Sequence, residues 1–562
     1  MLFALLAGGT SAWSQNLDSH SAETDPRLDR NRVTVLSEDL DRVDLDGEGE
    51  QDSVEILPEL RAIRLFTDAG ELGDERARAR MDRLISGTIE PALNNYVGKS
   101  LTIGGLLEIK ATAQRLFDRN SSALMRVLLP EQEISEGEIL LVAIAARVGE
   151  IESSHALESG AFRLGEGELL DRQTLVDDLD WLNRSTRRSA TALLQSGDQP
   201  GETNIRIGVE EMDKPWVLLA AWDNHGVDVL GEERWTFGLS HFNLFGSGIE
   251  AGYEYVADDR FDRLSAHIAH ATIPIPAWRH EVRWLGYLAD SSASLYGGTG
   301  MENLSLGGRS WQSSMEYRVP MIRAFQRRVR QEALLGFDAK GANSDLEFGF
   351  TDPLGTNIEI YQFKLGYEAD WSDSCGQSRA RLYCLLSPGG WNDQNGDEAY
   401  GAARYEADSS YSFLVFSGER DIELPGGFQF DAEITGQIST SNLLASEQLS
   451  LSGPWAVRGF APSELRADNG VVGRFELQAP AMSLGIPGFG WQPFSFFDLG
   501  WGQSVSPLED EEDLLLASGG LGIRGEFQKN LSSELHYAWQ AVEDGFEDPE
   551  SGRLEARLIL RW

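Results

Sequence analysis

The chain has 562 residues, too many for one ordinary domain, and its 90 acidic against 48 basic residues give a net charge of −42. This charge argues against nucleic acid as a partner, because phosphate binding needs a basic surface. After the N-terminus no run of about 18 apolar residues occurs, which excludes a helical membrane protein. The 59 glycines, the many aromatic residues and the short alternating segments still suit transmembrane β-strands, in which only every second residue faces lipid.

The first 14 residues predict a secretory signal peptide. An apolar run, Met1 to Ala7, is followed by small residues at Ala12 and Ser14, so we expect cleavage after Ser14. No Lys or Arg precedes the run, which leaves open a start further upstream, and a buried N-terminal helix is the alternative. Residues 15–53 form an acidic linker, in which a short plug helix around Val35 to Leu45 is a candidate.

Two small α/β units are predicted next, over residues 54–149 and 150–212. Each has the order strand, helix, strand, strand, with two helices in the first unit. In the first, the strand is 60–66, the helices lie around 75–87 and 103–120, and the later strands are 124–129 and 138–144. In the second, a helix over 173–183 precedes strands 190–195 and 204–209, and the first strand is weak. Tandem units of one kind indicate a modular periplasmic arm.

The remaining span, from about Trp216 to Trp562, predicts a transmembrane β-barrel. It has 562 − 215 = 347 residues, enough for roughly sixteen strands at about 22 residues per strand and connection. Its last ten residues alternate: Leu554, Leu558 and Trp562 share one face with other apolar residues, and Arg553, Glu555, Arg557 and Arg561 share the other. We therefore expect an all-β barrel, over residues 213–562, with a charged and hydrated lumen.

One loop interrupts the alternation. Gly453-Pro454 precedes and Ala461-Pro462-Ser463 follows the tip residues Val457, Arg458, Gly459 and Phe460, so the backbone leaves the ladder before the arginine. Downstream, Asp498 and Gly500 share the strand face opposite Phe497 and Trp501. If the rings face lipid, Asp498 faces the lumen and is a candidate partner for Arg458. The alternative is that Arg458 is an ordinary exposed loop cation.

The cysteines, the histidines and the serine motifs indicate whether the chain has a disulfide, a metal site or a catalytic site. Cys375 and Cys384, nine residues apart in a chain expected outside the cytoplasm, predict a loop disulfide. His267 and His270 would lie on opposite strand faces, so we expect no metal site. No Gly-x-Ser-x-Gly elbow occurs. The chain is predicted to have no catalytic residues and no cofactor, and not to be an enzyme.

Several motifs resemble a known family. Leu182, Asn183, Arg184, Gly197, Pro200 and Gly201 look like the POTRA domains of outer-membrane two-partner-secretion transporters, the haemolysin/haemagglutinin secretion/activation proteins, although Ser185-Thr186 replaces the usual Asn-Pro. The tip motif at 457–460 and Phe497-Asp498-Leu-Gly500 resemble the family's barrel motifs. In that family the sixth extracellular loop folds into the lumen and its arginine pairs with the strand aspartate, which here implies Arg458 with Asp498.

The resemblance implies an α+β POTRA arm in the periplasm and an outer-membrane pore for an unfolded exoprotein. The POTRA domains would bind the client by pairing along sheet edges. Expected partners are the exoprotein, outer-membrane lipid and, during biogenesis, the barrel-assembly machinery and periplasmic chaperones. The alternatives are an outer-membrane assembly factor of the same superfamily, which would usually carry more POTRA units, and a passive porin, which would lack the arm.

Overall fold

A computed structural model gives the architecture. It describes residues 35–37, 54–67, 75–121, 123–132, 134, 137–153, 162–185, 188–199, 201–211, 214–227, 230–295, 304–324, 329–348, 356–483, 485, 487–509, 511–528, 530–543 and 552–562. The predicted signal peptide lies outside these residues, as does most of the acidic linker. The chain separates into two compact units that meet in sequence near residue 213.

The first half of the N-terminal unit is a three-stranded sheet covered by helices. Its elements are β2 (Glu55–Leu57), β3 (Ala62–Thr67), α1 (Glu75–Leu84), a π-helical turn (Ile85–Ile89), α2 (Glu90–Leu93), a 3-10 turn (Asn94–Tyr96), β4 (Leu101–Thr102), α3 (Ile103–Asn120), β5 (Met125–Leu128) and β6 (Glu138–Ala145). The sheet order is β3-β6-β5, and β2 pairs with β4. Buried apolar residues of α3, including Ile109 and Phe117, pack on alternate residues of β6, including Ile139 and Leu141, and form the core.

The second half contains β7 (Arg147–Ser153), α4 (Arg172–Leu182), β8 (Arg188–Ser196) and β9 (Glu202–Glu211). A short strand near the N-terminus, β1 (Val35–Ser37), joins this sheet, whose order is β1-β8-β9-β7. A helix was a candidate here, and at 35–37 that prediction is wrong, because the backbone pairs with β8 instead. The predicted boundary at residue 149 also needs correction, since it falls inside β7.

The C-terminal unit is a closed antiparallel barrel with sixteen long strands among the described residues. They are β10 (Trp216–Asp223), β11 (Arg234–Leu244), β12 (Ile249–Asp258), β13 (Leu264–Ile275), β14 (His280–Leu295), β15 (Leu304–Ala324), β16 (Val329–Phe348), β17 (Thr356–Ser372), β18 (Gly376–Ser387), β19 (Tyr411–Glu423), β20 (Gln429–Ser439), β23 (Asn469–Gln478), β25 (Phe489–Gln503), β26 (Leu514–Phe527), β27 (Leu531–Glu543) and β28 (Gly552–Arg561). β10 pairs with β28 and closes the ring. Short elements lie in the connections: a 3-10 turn (Asp393–Asn395), α5 (Asp397–Ala403), β21 (Leu449–Ser450), β22 (Arg466–Ala467) and β24 (Met482–Ser483).

Apolar and polar residues alternate along each strand, and this alternation determines which side chains lie on the outer and inner faces of the barrel. Large apolar side chains are exposed on the outer face, among them Leu239, Trp284, Leu335, Leu365, Phe497, Leu521 and Leu558. Charged and amide side chains are buried on the inner face, among them Arg318, Glu332, Gln362, Glu476, Asp498 and Glu555. An apolar exterior around a polar interior is the pattern of a membrane barrel, and the predicted fold class is confirmed. No helix among the described residues is long and apolar enough to span a membrane.

The predicted disulfide is wrong. Cys375 and Cys384 are both free and exposed. Cys375 lies in the turn before β18 and Cys384 lies within that strand, eight positions beyond its first residue. Because an extended strand rises about 3.3 Å per residue, the two are roughly 25 Å apart, far beyond the ~7 Å between Cα atoms that a disulfide tolerates.

Candidate functional site: a loop tip bound inside the barrel

The connection between β20 and β23, residues 440–468, folds back as a hairpin. Its arms pair as β21 and β22, and its tip closes through two turns of the backbone. The N–H of Gly453 donates to the carbonyl of Val457 over 3.1 Å, and the N–H of Val457 donates to the carbonyl of Leu451 over 3.1 Å. Gly453 has φ of 115°, where a Cβ would also lie 2.7 Å from Cα of Pro462. Glycine is therefore required at the neck of the tip.

Apolar packing seats the hairpin against the barrel wall. Val457 and Phe460 are buried in a cluster with Leu451, and side chains of β23 and β26 complete it, namely Val472 and Leu516. Gly500 on β25 makes room for this contact, because a Cβ there would lie 2.8 Å from Cγ2 of Val457. The glycine two residues after Asp498 is thus explained by close approach of the loop.

The Arg458 guanidinium lies on the Asp498 carboxylate. Nε donates to Oδ2 over 2.7 Å and Nη2 donates to Oδ1 over 2.9 Å, a bidentate contact. The backbone N–H of Arg458 donates to the same Oδ2 over 3.1 Å, and Nη1 donates to Glu476 over 2.9 Å. The guanidinium also lies 3.7 Å from the ring centroid of Phe496. Since Arg458 is only 3% exposed, it is not an ordinary exposed loop cation.

Gly459 adds backbone contacts to the last strands of the barrel. Its N–H donates to Glu555 over 3.2 Å, and its carbonyl accepts from Gln540 over 2.7 Å. Its φ is 91°, and a Cβ would lie 2.7 Å from Cβ of Ala538. Both the backbone conformation and the close approach require glycine at this position.

Further charged side chains on the barrel wall contact the carboxylates that bind the loop tip. Arg524 contacts both oxygens of Glu476 and donates to Glu534 over 2.9 Å. His536 lies between Glu534 and Glu555, at 3.2 and 2.9 Å. The sequence placed Glu555 on the charged strand face but did not show which of these residues meet. Strand periodicity was the available signal, whereas the pairing depends on register across strands far apart in sequence.

The base of the same loop has a second charged centre, around Asp468. This carboxylate is fully buried. Its donors are Arg404, through Nη1 at 2.5 Å and Nη2 at 2.9 Å, the N–H of Leu443, the Gln448 amide and the N–H of Val505. Arg404 follows α5 in the connection between β18 and β19, and Val505 lies between β25 and β26. Asp468 therefore joins three connections at one end of the barrel, a centre that sequence reasoning missed.

A third contact ties the loop to a different part of the wall. Glu447 accepts from Lys340 on β16 over 2.9 and 3.1 Å and from Gln362 on β17 over 2.9 Å. In the ring, β16 and β17 are separated by several strands from β25, which carries Asp498. The loop is therefore held at two distant points of the wall and crosses the lumen.

The predicted POTRA motif residues have structural partners in the N-terminal unit. Leu182 is buried, and the Arg184 guanidinium lies 4.9 Å from the Trp181 ring. The Asn183 amide bonds both backbone groups of Ala190, at 2.5 and 3.0 Å. Gly201 has φ of 85°, and a Cβ on Gly197 would lie 2.5 Å from Glu202. Pro200 lies outside the described residues.

Comparison with known proteins bears on this site directly. The family model of haemolysin secretion/activation proteins ShlB/FhaC/HecB matches residues 389–525, a span that contains α5, the whole lumen loop and the strand of Asp498. In these residues the chain is similar to the outer-membrane transporters of two-partner secretion. The apolar exterior of its barrel fits the outer membrane in which such transporters lie.

Individual relatives agree with this family. The heme/hemopexin transporter protein HuxB of Haemophilus influenzae is 22% identical over 432 residues, 75% of this chain and 74% of the relative. The outer membrane transporter CdiB of Dickeya dadantii is 24% identical over 372 residues, 65% of this chain and 64% of the relative. The solved structure of CdiB from Escherichia coli superposes with a TM-score of 0.76 at 17% identity, covering 99% of each chain. The last comparison shows a shared fold.

Proposed function

We propose that this transporter binds an unfolded exoprotein in the periplasm through its POTRA domains and passes it through the barrel to the cell surface. The observation that carries the proposal is the loop crossing the lumen, bound at its tip by Arg458 and further back by Glu447. A chain passing through the pore has to displace this loop. The Arg458 and Asp498 contact then serves as the latch between the closed and the conducting pore.

Open sheet edges in the N-terminal unit support capture of an extended client. The sheet of the first half has two edges, and one of them, β5, is partly covered by Gln114. The side-chain amide of Gln114 accepts from the N–H of Val127 over 2.8 Å and donates to the carbonyl of Met125 over 2.7 Å. β3 lies at the opposite edge of that sheet and carries an exposed Phe66. An edge strand offers unpaired N–H and C=O groups to any extended chain, whatever its side chains, which suits an unfolded substrate.

A lock on the loop tests the latch. In a background with Cys375→Ser and Cys384→Ser, the pair Val457→Cys and Gly500→Cys places two thiols where the loop tip touches β25, within reach of a disulfide. Co-expressed with an exoprotein that the unmutated chain secretes, the oxidised pore should secrete at least tenfold less than the same pore after reduction. The two single-cysteine variants are the controls.

Two results would contradict the proposal. Undiminished secretion by the fully oxidised pore would show that the loop tip does not have to move. Loss of other outer-membrane proteins from the membrane, with no exoprotein secreted by the unmutated chain, would favour the assembly-factor alternative. Heat-modifiable mobility of the barrel in each variant separates these outcomes from misfolding.

A further inference from the structure

The connection between β18 and β19, residues 388–410, covers an open edge of the barrel sheet. Residues 356–362 of β17 lie beyond the last pair that β17 forms with β18. There the Asn395 amide and the Tyr400 hydroxyl both donate to the carbonyl of Glu359, over 2.9 and 3.1 Å. The connection therefore takes the place of a neighbouring strand along this part of β17.

Trp391 of the same connection lies on the outer face of the barrel. Its ring stacks on Tyr361 and on Phe337, with centroids 4.9 and 5.8 Å apart, and meets Phe363 edge-on at 6.3 Å. Phe337 on β16 is directly opposite Phe363 on β17. Phe363 is exposed and follows the fully buried Gln362, so it points outward. The connection thus crosses the rim of the barrel and places an indole ring on the outside.

The surface around Trp391 is apolar on one side and polar on the other. Toward the middle of β17, the exposed Leu365 continues the apolar outer face. In the opposite direction, the Glu359 carboxylate accepts from the Tyr361 hydroxyl over 2.7 Å and from the Asn392 amide over 2.6 Å. Trp and Tyr are enriched where the hydrocarbon of a membrane meets the polar headgroups, and Trp391 lies at such a boundary.

Trp391 remains 50% exposed although its ring contacts three others. The exposed part is continuous with the apolar outer face of the barrel, which favours lipid as the molecule that covers it. We propose that Trp391 and the rings beneath it bind membrane lipid, so that lipid holds the 388–410 connection against the barrel. The same connection carries Arg404, which donates to Asp468 at the base of the lumen loop. Lipid bound at Trp391 therefore also steadies the base of that loop.

A fluorescent label on the connection tests for lipid contact. In the Cys375→Ser and Cys384→Ser background, Trp391→Cys is labelled with bimane, and the protein is placed in bilayer discs of phosphatidylcholine with brominated acyl chains. Tyr405→Cys is the matched control, because Tyr405 lies in the same connection and is 53% exposed, but its carbonyl accepts from Asn442 of the lumen loop. Brominated lipid should quench the label at 391 at least twofold more strongly than the label at 405.

Two results of this experiment would overturn the proposal. Equal quenching of the two labels would mean that Trp391 has no special contact with lipid. Resistance of the label at 391 to both brominated lipid and water-soluble iodide would mean that protein, such as a second copy of the chain, covers the surface. Heat-modifiable mobility of each labelled variant establishes that its barrel is folded.

Proteolysis tests whether lipid holds the connection in place. A glutamate-specific protease can cut after Glu398 and Glu406, and the unmutated protein should be cut there at least threefold more slowly in lipid discs than in octyl glucoside micelles. Trp391→Ala should lose this difference, because it removes the ring that contacts lipid, whereas Tyr405→Ala should keep it. A ratio of disc to micelle rates that Trp391→Ala leaves unchanged would refute the role of lipid in holding the connection.

Discussion

The tip and the base of the lumen loop are both held by buried charges, but in opposite ways. At the tip, the loop contributes the cation, and Arg458 gathers carboxylates from two barrel strands, Asp498 and Glu476. At the base, Asp468 is the buried acceptor, and it gathers Arg404 and backbone donors from the neighbouring connections. The tip thus fastens the loop to the wall, whereas the base fastens connections to one another.

This difference predicts which substitutions of charged residues will impair transport most. Removing the cation at the tip leaves two carboxylates without their common partner inside the lumen. Removing Arg404 at the base leaves Asp468 with its backbone donors and Gln448, so its charge stays partly satisfied. Variants at the tip should therefore affect transport much more strongly than variants at the base.

The largest effect is expected from Arg458→Ala and Asp498→Ala. Breaking a buried ion pair by removing one partner costs roughly 3 to 5 kcal/mol, which here weakens loop seating more than a hundredfold. Because an unseated loop can no longer switch between a bound and a displaced position, secretion should fall at least tenfold. The barrel is held by its ladder hydrogen bonds, so heat-modifiable protein should reach the outer membrane at near-normal levels. Secretion and membrane insertion, measured in the same cells, separate the two effects.

The double variant and a matched arginine sharpen this test. Arg458→Ala with Asp498→Ala should secrete about as poorly as either single variant, because residues in direct contact are not additive. Arg474→Ala, which removes a lumen cation that contacts Glu433 at 3.2 Å, should secrete normally. Additive losses in the double variant would show that the two residues act separately.

A steric change at the tip should have an intermediate effect. Gly500→Ala introduces a Cβ 2.8 Å from Cγ2 of Val457, and overpacking of this kind costs about 1 to 3 kcal/mol. Secretion should fall severalfold, since the loop seats poorly while its ion pair remains. Val457→Ala removes the clashing methyl groups, so Gly500→Ala combined with Val457→Ala should recover toward the level of Val457→Ala alone. Failure of that recovery would mean that Gly500 serves another purpose.

Local patterns in the sequence predicted the barrel and the tip, but not the base. Alternation alone placed Asp498 on the inner face, and the turn residues around Arg458 marked it as a loop tip. Arg404 and Asp468 carry no such pattern, because they meet only when separate connections fold over the same end of the barrel. The cysteine prediction failed for a related reason: spacing indicated a disulfide, but Cys384 lies within a strand, where an extended backbone carries the two thiols apart.

The smallest effect is expected at the base of the loop. Arg404→Ala removes a bidentate partner of Asp468 that is itself partly exposed, at 21%, and hydrogen bonds to charged groups contribute about 1.5 to 3 kcal/mol. The tip contacts remain, so secretion should fall no more than about threefold. The connection 388–410 should nevertheless loosen and become more sensitive to protease added outside the cell. Arg420→Ala is the control, because its partner Asp373 is exposed at the other end of the barrel, and it should leave protease sensitivity unchanged. Loss of secretion with Arg404→Ala as complete as with Arg458→Ala would mean that the base, and not only the tip, holds the loop in the lumen.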